Sequence, residues 1–151
     1  MRALLAAVLL FAMPALADDD YASLREGLVD EVRSYSGYAG DAPFSDEVLA
    51  TLGRVERHLF VPPGQVRYAY DNRPLPIGHG QTRSQPYIVA LMTDLLEPDA
   101  SDVVLEVGTG SGYQAAVLAE LVDHVYSIEI IEPLATSAGE RLKHLGYDNV
   151  T

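Results

Sequence analysis

The chain has 151 residues, of which 48% are hydrophobic, so it can build one folded domain with a core and is not a disordered tail. Its net charge of −12 disfavours binding to nucleic acid or to an anionic membrane surface. Cysteine is absent, which excludes disulfides, thiol nucleophiles and cysteine-based metal sites.

The N-terminus has the layout of a secretory signal peptide. A positive start at Arg2 precedes an apolar run from Ala3 to Ala15, and Ala15-Leu16-Ala17 forms a small-x-small site. We therefore expect residues 1–17 to be removed and the mature chain to begin at Asp18. Such a chain would be periplasmic or secreted, with no stable membrane association after cleavage. The alternatives are a buried helix or a membrane anchor, although the run is short for a membrane span.

Residues 18–98 are predicted to form a helical and loop segment. Apolar spacing indicates helices over Tyr21 to Tyr35, Ser45 to Val55 and Pro86 to Leu96. Ser45 is a suitable cap for the second helix, and Ser84 is a possible cap for the third, where Pro86 stands in the first turn. The prolines and glycines of residues 60–82 exclude regular helix between them.

Residues 99–151 alternate between strand and helix patterns. A buried parallel strand is expected over Val103 to Val107, a helix over Tyr113 to Leu121, and a second strand over His124 to Ile128. A helix over Pro133 to Leu145 follows, and residues 149–151 look like the start of a third strand. The order predicts a doubly wound α/β domain. Because so few strands leave edges unpaired, we expect the chain to be a fragment or a truncated product.

The sharpest motif joins the first strand to its helix through Gly108, Gly110 and Gly112. Glycines let a ligand approach the main chain, and the start of a helix offers free N–H groups. The spacing is G-x-G-x-G and not the dinucleotide pattern G-x-G-x-x-G. Glu106, just before the turn, suits a cationic amino-acid group better than a pyrophosphate, and Glu129 could accept from ribose hydroxyls. S-adenosylmethionine is favoured, with NAD-type binding and a purely structural turn as alternatives.

A second motif precedes the sheet, where residues 75–87 form a stiff loop rich in hydrogen-bonding groups. This loop and the helix after it resemble the corresponding segment of protein-L-isoaspartate O-methyltransferases. The resemblance extends over Asp46 to Pro62, Ala69 to Asn72, Glu106 to Gln114 and Val125 to Glu129. It implies a Rossmann-like S-adenosylmethionine-dependent methyltransferase fold, incomplete at the C-terminus, with an N-terminal helical segment.

By this resemblance, the protein would transfer a methyl group to the α-carboxylate of L-isoaspartyl residues in damaged proteins. Ser84 matches the hydroxyl residue with the active-site role, and it would orient the substrate carboxylate; a plain helix cap is the alternative. The residues expected to bind the cofactor are Gln81, Thr82, Arg83, Ser84, Glu106, Val107, Gly108, Thr109, Gly110, Ser111, Gly112 and Glu129.

The sequence also departs from the family. Many relatives carry Gln and an aliphatic side chain where His79 and Arg83 stand, and the sequence leaves open whether Arg83 binds an anionic substrate or lies on the surface. Family members are longer and mostly cytoplasmic, so a cytoplasmic location is the alternative to export. The histidines lack metal-ligand spacing; His124 is expected at a strand start, His58 and His144 on the surface, and His79 near the site.

The expected partners are damaged proteins or peptides with L-isoaspartyl residues. The protein itself is expected to be a monomer. Three other functions stay open. The chain could be a truncated, inactive domain that binds S-adenosylmethionine, a methyltransferase for another substrate, or an NAD-dependent oxidoreductase.

Overall fold

The computed structural model describes residues 18–35 and 44–151. The predicted signal peptide at residues 1–17 and the whole stretch at residues 37–43, whose glycines and proline predict a turn-rich break between the first two helices, lie outside the described residues. Within the described ranges, no helix has both the length and the apolar character needed to cross a membrane.

Three helices form the N-terminal segment: α1 (Asp18–Tyr35), α2 (Asp46–Arg54) and α3 (Pro86–Leu95). They pack against one another and bury the apolar faces that the sequence pattern indicates, with Leu28 and Val32 on α1 among the buried residues. The predicted cap of α2 is confirmed, because the Ser45 side chain accepts a hydrogen bond from the Val48 amide at 3.3 Å.

The predicted cap of α3 is wrong. Gln85 occupies the position before the helix and makes no side-chain cap hydrogen bond, while Pro86 opens the first turn as expected. The ring of Pro86 fixes φ and lacks an N–H, so this turn needs one hydrogen bond fewer from a cap. Ser84 therefore lies one residue before the cap position of α3, and its hydroxyl is available for another role.

Residues 57–83 are more regular than the sequence suggests. Short 3-10 turns cover Arg57–Phe60 and Pro63–Tyr68, and two strands, β1 (Leu75–Gly78) and β2 (Gln81–Arg83), form an antiparallel hairpin. The hairpin reverses through three consecutive residues with positive φ, Gly78 at 93°, His79 at 51° and Gly80 at 70°. Because glycine adopts positive φ without strain, Gly78 and Gly80 limit the strain of this reversal to His79.

The C-terminal segment has the predicted α/β order. It comprises β3 (Val103–Val107), α4 (Tyr113–Ala119), β4 (His124–Ile128) and α5 (Glu132–His144). The two strands pair in parallel, in a register that places Val103 beside His124 and Val107 beside Ile128. Residues 149–151 continue the sheet beyond β4, because Val125 forms a parallel bridge with Val150 and the Ser127 amide donates to the Thr151 carbonyl at 2.8 Å.

One face of this sheet is uncovered, and we call it the open sheet face. It consists of Val103, Leu105, Val107, Tyr126 and Ile128. Leu105 is 60% exposed and Val107 is 78% exposed, so the expectation of a strand buried on both sides is wrong for this face. The reason is that α4 packs against β4 on the opposite face, where Glu106 and Val125 are buried.

The open sheet face gives a testable prediction about surface hydrophobicity. Leu105→Lys should lower the fluorescence of bound anilinonaphthalene sulfonate by about half, because it interrupts a contiguous apolar patch without removing buried contacts. Leu95, 74% exposed on α3, offers the matched change Leu95→Lys, which leaves the patch intact. Equal dye binding by both variants would mean that the dye reports some other surface.

Candidate active site

The two sequence motifs meet in a small cavity between the hairpin and the end of β3, which we call the inner cavity. Its volume is about 70 Å³. It is lined by Thr82, Arg83, Ser84, Val89, Glu106, Gly108, Thr109, Gly110, Ser111, Tyr113 and Gln114. The structure therefore brings together the stretch at 82–84 and the glycine turn, which lie more than twenty residues apart along the chain.

A second opening, the outer cleft, adjoins the first and has a volume of about 300 Å³. Gln81, Val107 and Glu129 line the outer cleft and not the inner cavity. Thr82, Gly108 and Gly110 border both spaces, so the turn separates them. Among the residues expected to bind the cofactor, Gly112 lines neither space. It faces α5, where an added Cβ would lie 3.2 Å from the Leu142 side chain.

The glycine turn has the left-handed backbone that its composition predicts, with φ of 97° at Gly108, 55° at Gly110 and 85° at Gly112. An added Cβ at Gly108 would meet nothing within 4 Å, so space for a ligand is open there. The expectation of free amides is corrected for four residues. The amides of Gly108 and Thr109 donate to the Ile128 carbonyl, that of Gly112 to the Thr109 carbonyl, and that of Gly110 to Glu129.

Glu106 is buried at the wall of the inner cavity. Ser127, on the neighbouring strand β4, donates a hydrogen bond from its hydroxyl to the Glu106 carboxylate. The Thr109 hydroxyl lies 2.6 Å from the Ser127 hydroxyl and extends this chain. Burial raises the pKa of Glu106 to about 7; the hydrogen bond from Ser127 opposes that rise, and the charge of Glu129 adds to it.

Glu129 stands at the end of β4 and fastens two turns. One carboxylate oxygen accepts from the Gly110 amide and the other from the Ile131 amide, both at 2.9 Å. These backbone hydrogen bonds, with the Ile131 bond first, lower the pKa of Glu129, so it is ionised at neutral pH. A carboxylate has about four acceptor positions, so two remain for hydroxyl groups in the outer cleft.

Ser84 lines the inner cavity, and its backbone is held from behind by a buried arginine. Arg57 is 0% exposed and donates from Nη2 to the Ser84 carbonyl at 3.0 Å and from Nε to the Ala69 carbonyl at 2.9 Å. The sequence did not single out Arg57. Its two acceptors are backbone carbonyls 12 and 27 residues away, and no local pattern indicates such a contact.

Arg83 is buried, not a surface residue. It is 5% exposed, and its Nη1 donates to the Arg57 carbonyl at 3.1 Å. Both guanidinium groups lie over the Tyr113 ring, with Arg57 at 4.6 Å and Arg83 at 5.2 Å from its centre. Tyr113 and Gln114 also line the inner cavity and were missed as site residues, although they follow directly on the glycine motif.

The burial of one histidine, His58, differs from the prediction. His124 begins β4 and His144 is exposed, as predicted. His58 is half-buried, not a surface residue, because its ring stacks on Tyr21 at 3.8 Å and its Nδ1 lies 2.7 Å from the Tyr70 hydroxyl. His79 is exposed at the hairpin reversal and lines neither the inner cavity nor the outer cleft. Across residues 18–35 and 44–151, no three His, Asp or Glu side chains are grouped as metal ligands.

Comparisons with known proteins identify the family of this chain. The profile of the protein-L-isoaspartate(D-aspartate) O-methyltransferase family matches residues 26–151. Protein-L-isoaspartate O-methyltransferase 2 of Syntrophobacter fumaroxidans is 56% identical, over 95% of this chain and 62% of its own length. The protein of the same name from a Polaromonas species is 62% identical, over 82% of this chain and 57% of its own length. The chain thus spans about six tenths of the length of these relatives.

Solved structures show the same fold. A protein-L-isoaspartate O-methyltransferase superposes with a TM-score of 0.72 at 27% identity, covering 83% of this chain and 40% of that one. A Plasmodium falciparum structure of the same description, in complex with S-adenosyl-L-homocysteine, superposes with a TM-score of 0.63 at 25% identity and covers 86% of this chain and 60% of its own. On the family match and these identities, the chain belongs to the protein-L-isoaspartate(D-aspartate) O-methyltransferase family.

Proposed function

We propose that this protein transfers a methyl group from S-adenosylmethionine to the α-carboxylate of L-isoaspartyl residues in damaged proteins or peptides. The observation that carries the proposal is the inner cavity, where residues 82–84 face Glu106 and the glycine turn. Glu106 and the glycine turn would form the wall that binds the cofactor. Residues 82–84 would form the wall that faces the substrate.

The residues present fit S-adenosylmethionine better than a dinucleotide. Glu106 offers a carboxylate that a cationic ammonium group would favour, whereas a pyrophosphate would be repelled by it. Glu129 has acceptor positions left for ribose hydroxyls, and Gly108 leaves room for close approach. When bound, the cofactor supplies a methyl group that its sulfonium makes electrophilic.

The chain's own residues would act mainly by positioning. The substrate carboxylate is ionised at neutral pH, so the reaction needs no general base. Ser84 would donate a hydrogen bond that orients this carboxylate, and Arg57 fixes the Ser84 backbone through its carbonyl. In the family reaction, a backbone amide nitrogen then attacks the methyl ester and expels methanol, and hydrolysis of the resulting succinimide partly restores normal aspartate.

Methyl transfer to matched peptides tests the proposal. The purified protein would be incubated with methyl-labelled S-adenosylmethionine and either an L-isoaspartyl peptide or the same peptide with normal aspartate. We expect label on the isoaspartyl peptide alone, because only this peptide presents the free α-carboxylate of an isoaspartyl residue, and we expect the label to be base-labile because methyl esters hydrolyse in base.

Other outcomes select among the alternatives. Retention of S-adenosylmethionine in equilibrium dialysis, without transfer to either peptide, would favour an inactive binding domain. Label on both peptides would favour a methyltransferase for another substrate. Retention of NAD in place of S-adenosylmethionine would contradict the proposed function.

Ser84→Ala tests the positioning role. Loss of a hydrogen bond to a charged carboxylate is worth about 1.5–3 kcal/mol, so kcat/KM should fall roughly 10- to 100-fold while cofactor binding is retained. Ser34→Ala is the matched control, because the Ser34 hydroxyl donates to the Glu31 carbonyl of its own helix and Ser34 does not line the inner cavity. A Ser84→Ala protein with the wild-type rate would contradict the role of this hydroxyl.

We extend the proposal to export. The apolar run after Arg2 and the Ala15-Leu16-Ala17 site support cleavage before Asp18. N-terminal sequencing of the protein from the periplasm or medium of an expressing bacterium should begin at Asp18. A cytoplasmic product that retains Arg2 would favour the location typical of the family.

A further inference from the structure

Two buried arginines stand side by side behind the inner cavity, and they differ in how their N–H groups are used. Arg57 donates from Nε and Nη2 to two backbone carbonyls, and its Nη1 is buried without a hydrogen-bond partner. Arg83 spends only Nη1, on the Arg57 carbonyl, while its Nε and Nη2 are buried without a hydrogen-bond partner. Nε and Nη2 lie on the same edge of a guanidinium group, and this edge is a fork that matches the two oxygens of a carboxylate.

No carboxylate compensates this charge among the described residues. The ion pairs there involve Arg25, Arg33, Arg54 and Arg73, all outside the pair. Glu106 shares the inner cavity with Arg83, yet its hydrogen bond goes to Ser127. Burial, together with the charge of Arg57, lowers the pKa of Arg83 to about 9, which still leaves it protonated at neutral pH. A buried guanidinium without a counter-charge is costly, so the site favours an anion strongly.

Arg83 contributes to the wall of the inner cavity, and its unpartnered Nε and Nη2 atoms are themselves buried. Arg83, Ser111 and Tyr113 all line this cavity, and the hydroxyls of Ser111 and Tyr113 are also buried without partners. Its volume of about 70 Å³ corresponds to roughly two water molecules, which suits a carboxylate group. A phosphate is bulkier and more highly charged than a carboxylate, so Glu106 in the same wall would oppose it more strongly.

We propose that Arg83 is a carboxylate-binding residue of the inner cavity, and that the carboxylate it takes is the one beside Ser84 that receives the methyl group. The free Nε–Nη2 edge of Arg83 receives both oxygens, and Arg57 holds Arg83 and Ser84 in place through its own carbonyl and guanidinium. The choice of the substrate carboxylate rests on the proposed function. The preference of the site for a carboxylate does not rest on the proposed function.

Acetate tests the site without the reaction. In acetate, compared with equimolar chloride, the melting temperature of the wild-type protein should rise by about 3 °C, because a ligand of the folded state stabilises it. Arg83→Met should lose this response and should melt higher than wild type in chloride, since it removes an uncompensated charge. Arg83→Lys should keep less than half of the response, because it retains the charge without the fork.

The matched control is Arg67→Met, since Arg67 is exposed and its guanidinium lies over Tyr68. It should respond to acetate as wild type does. An equal response by Arg83→Met and wild type would overturn the proposal. If neither Arg83 variant folds, titration of wild type with carbonyl-labelled acetate decides: an unshifted carbonyl resonance overturns the proposal, and a saturable shift supports it.

A peptide pair identifies the source of the carboxylate. An L-isoaspartyl peptide should bind wild type about tenfold more tightly than the same peptide with its α-carboxylate amidated, and Arg83→Met should erase this difference. A preference that persists in Arg83→Met would overturn the role of Arg83 and leave the proposed function standing. An acetate response without any methyl transfer would support the carboxylate site and count against the proposed function.

Discussion

Replacing Glu106 by Gln should remove a pH dependence of stability worth about 3 kcal/mol. Burial keeps Glu106 protonated in the folded protein up to about pH 7, whereas its ordinary pKa is 4.5. Between these values the folded state therefore holds a proton that the unfolded state has released. Glu106 favours the folded protein fully below pH 4.5, and this contribution is lost as the pH rises through 7. Urea unfolding of wild type and Glu106→Gln at pH 5 and pH 8 measures the difference.

Glu140→Gln supplies the control, because Glu140 is an exposed carboxylate on α5. It reports what the loss of a surface charge does to the same curves. Parallel pH dependences for wild type and Glu106→Gln would show that the Glu106 carboxyl is solvated. The same titration predicts that the affinity for a cationic ligand at the inner cavity rises with pH up to about 8 and that Glu106→Gln lacks this rise.

The second large effect concerns Gly112, which holds the glycine turn against α5. Gly112→Ala should lower the free energy of unfolding by roughly 2–4 kcal/mol, because two costs add. Its φ of 85° is unfavourable for any residue with a Cβ, and that Cβ would lie 3.2 Å from two atoms of Leu142. Chemical denaturation followed by circular dichroism measures the change.

Gly139→Ala is the opposite test on the same helix. Gly139 is exposed inside α5, and an added Cβ there meets nothing within 4 Å. Alanine should therefore raise the free energy of unfolding by about 0.5–1 kcal/mol. If both substitutions had the same small effect, Gly112 would be a tolerant position and α5 would have moved to admit the methyl group.

Local sequence signals predict the fold where they are strong. Residues that are close in the sequence determine three features: the cap at Ser45, the apolar spacing of α1 to α3, and the strand–glycine–helix order after Val103. The β1–β2 hairpin was missed because Pro76 argues against a strand, yet at this edge Pro76 pairs with Thr82. The exposure of Val107 was missed because a strand pattern shows only that a residue is apolar. It does not show whether another element packs on that face of the sheet.

The candidate site was predictable only in part. Glu106, Ser84 and the glycine turn were recognised from motifs, and the inner cavity unites them. Gly112 was assigned to ligand binding, although it lines neither cavity and a Cβ added there would meet Leu142 and Ala138. The environment of Arg83 depends on Arg57 and Tyr113, which are 26 and 30 residues away, so no local pattern could show that it is buried.

The hydroxyl chain from Thr109 through Ser127 to Glu106 has a further consequence, because each hydroxyl carries one proton. With Glu106 ionised, Ser127 points its proton at the carboxylate and Thr109 points its proton at Ser127, so Thr109 can only accept from a ligand. With Glu106 protonated, the carboxyl can donate to Ser127 and Ser127 to Thr109, which frees the Thr109 proton. The loss of one proton at the buried wall thus reverses the polarity that Thr109 presents to the inner cavity, without moving a heavy atom.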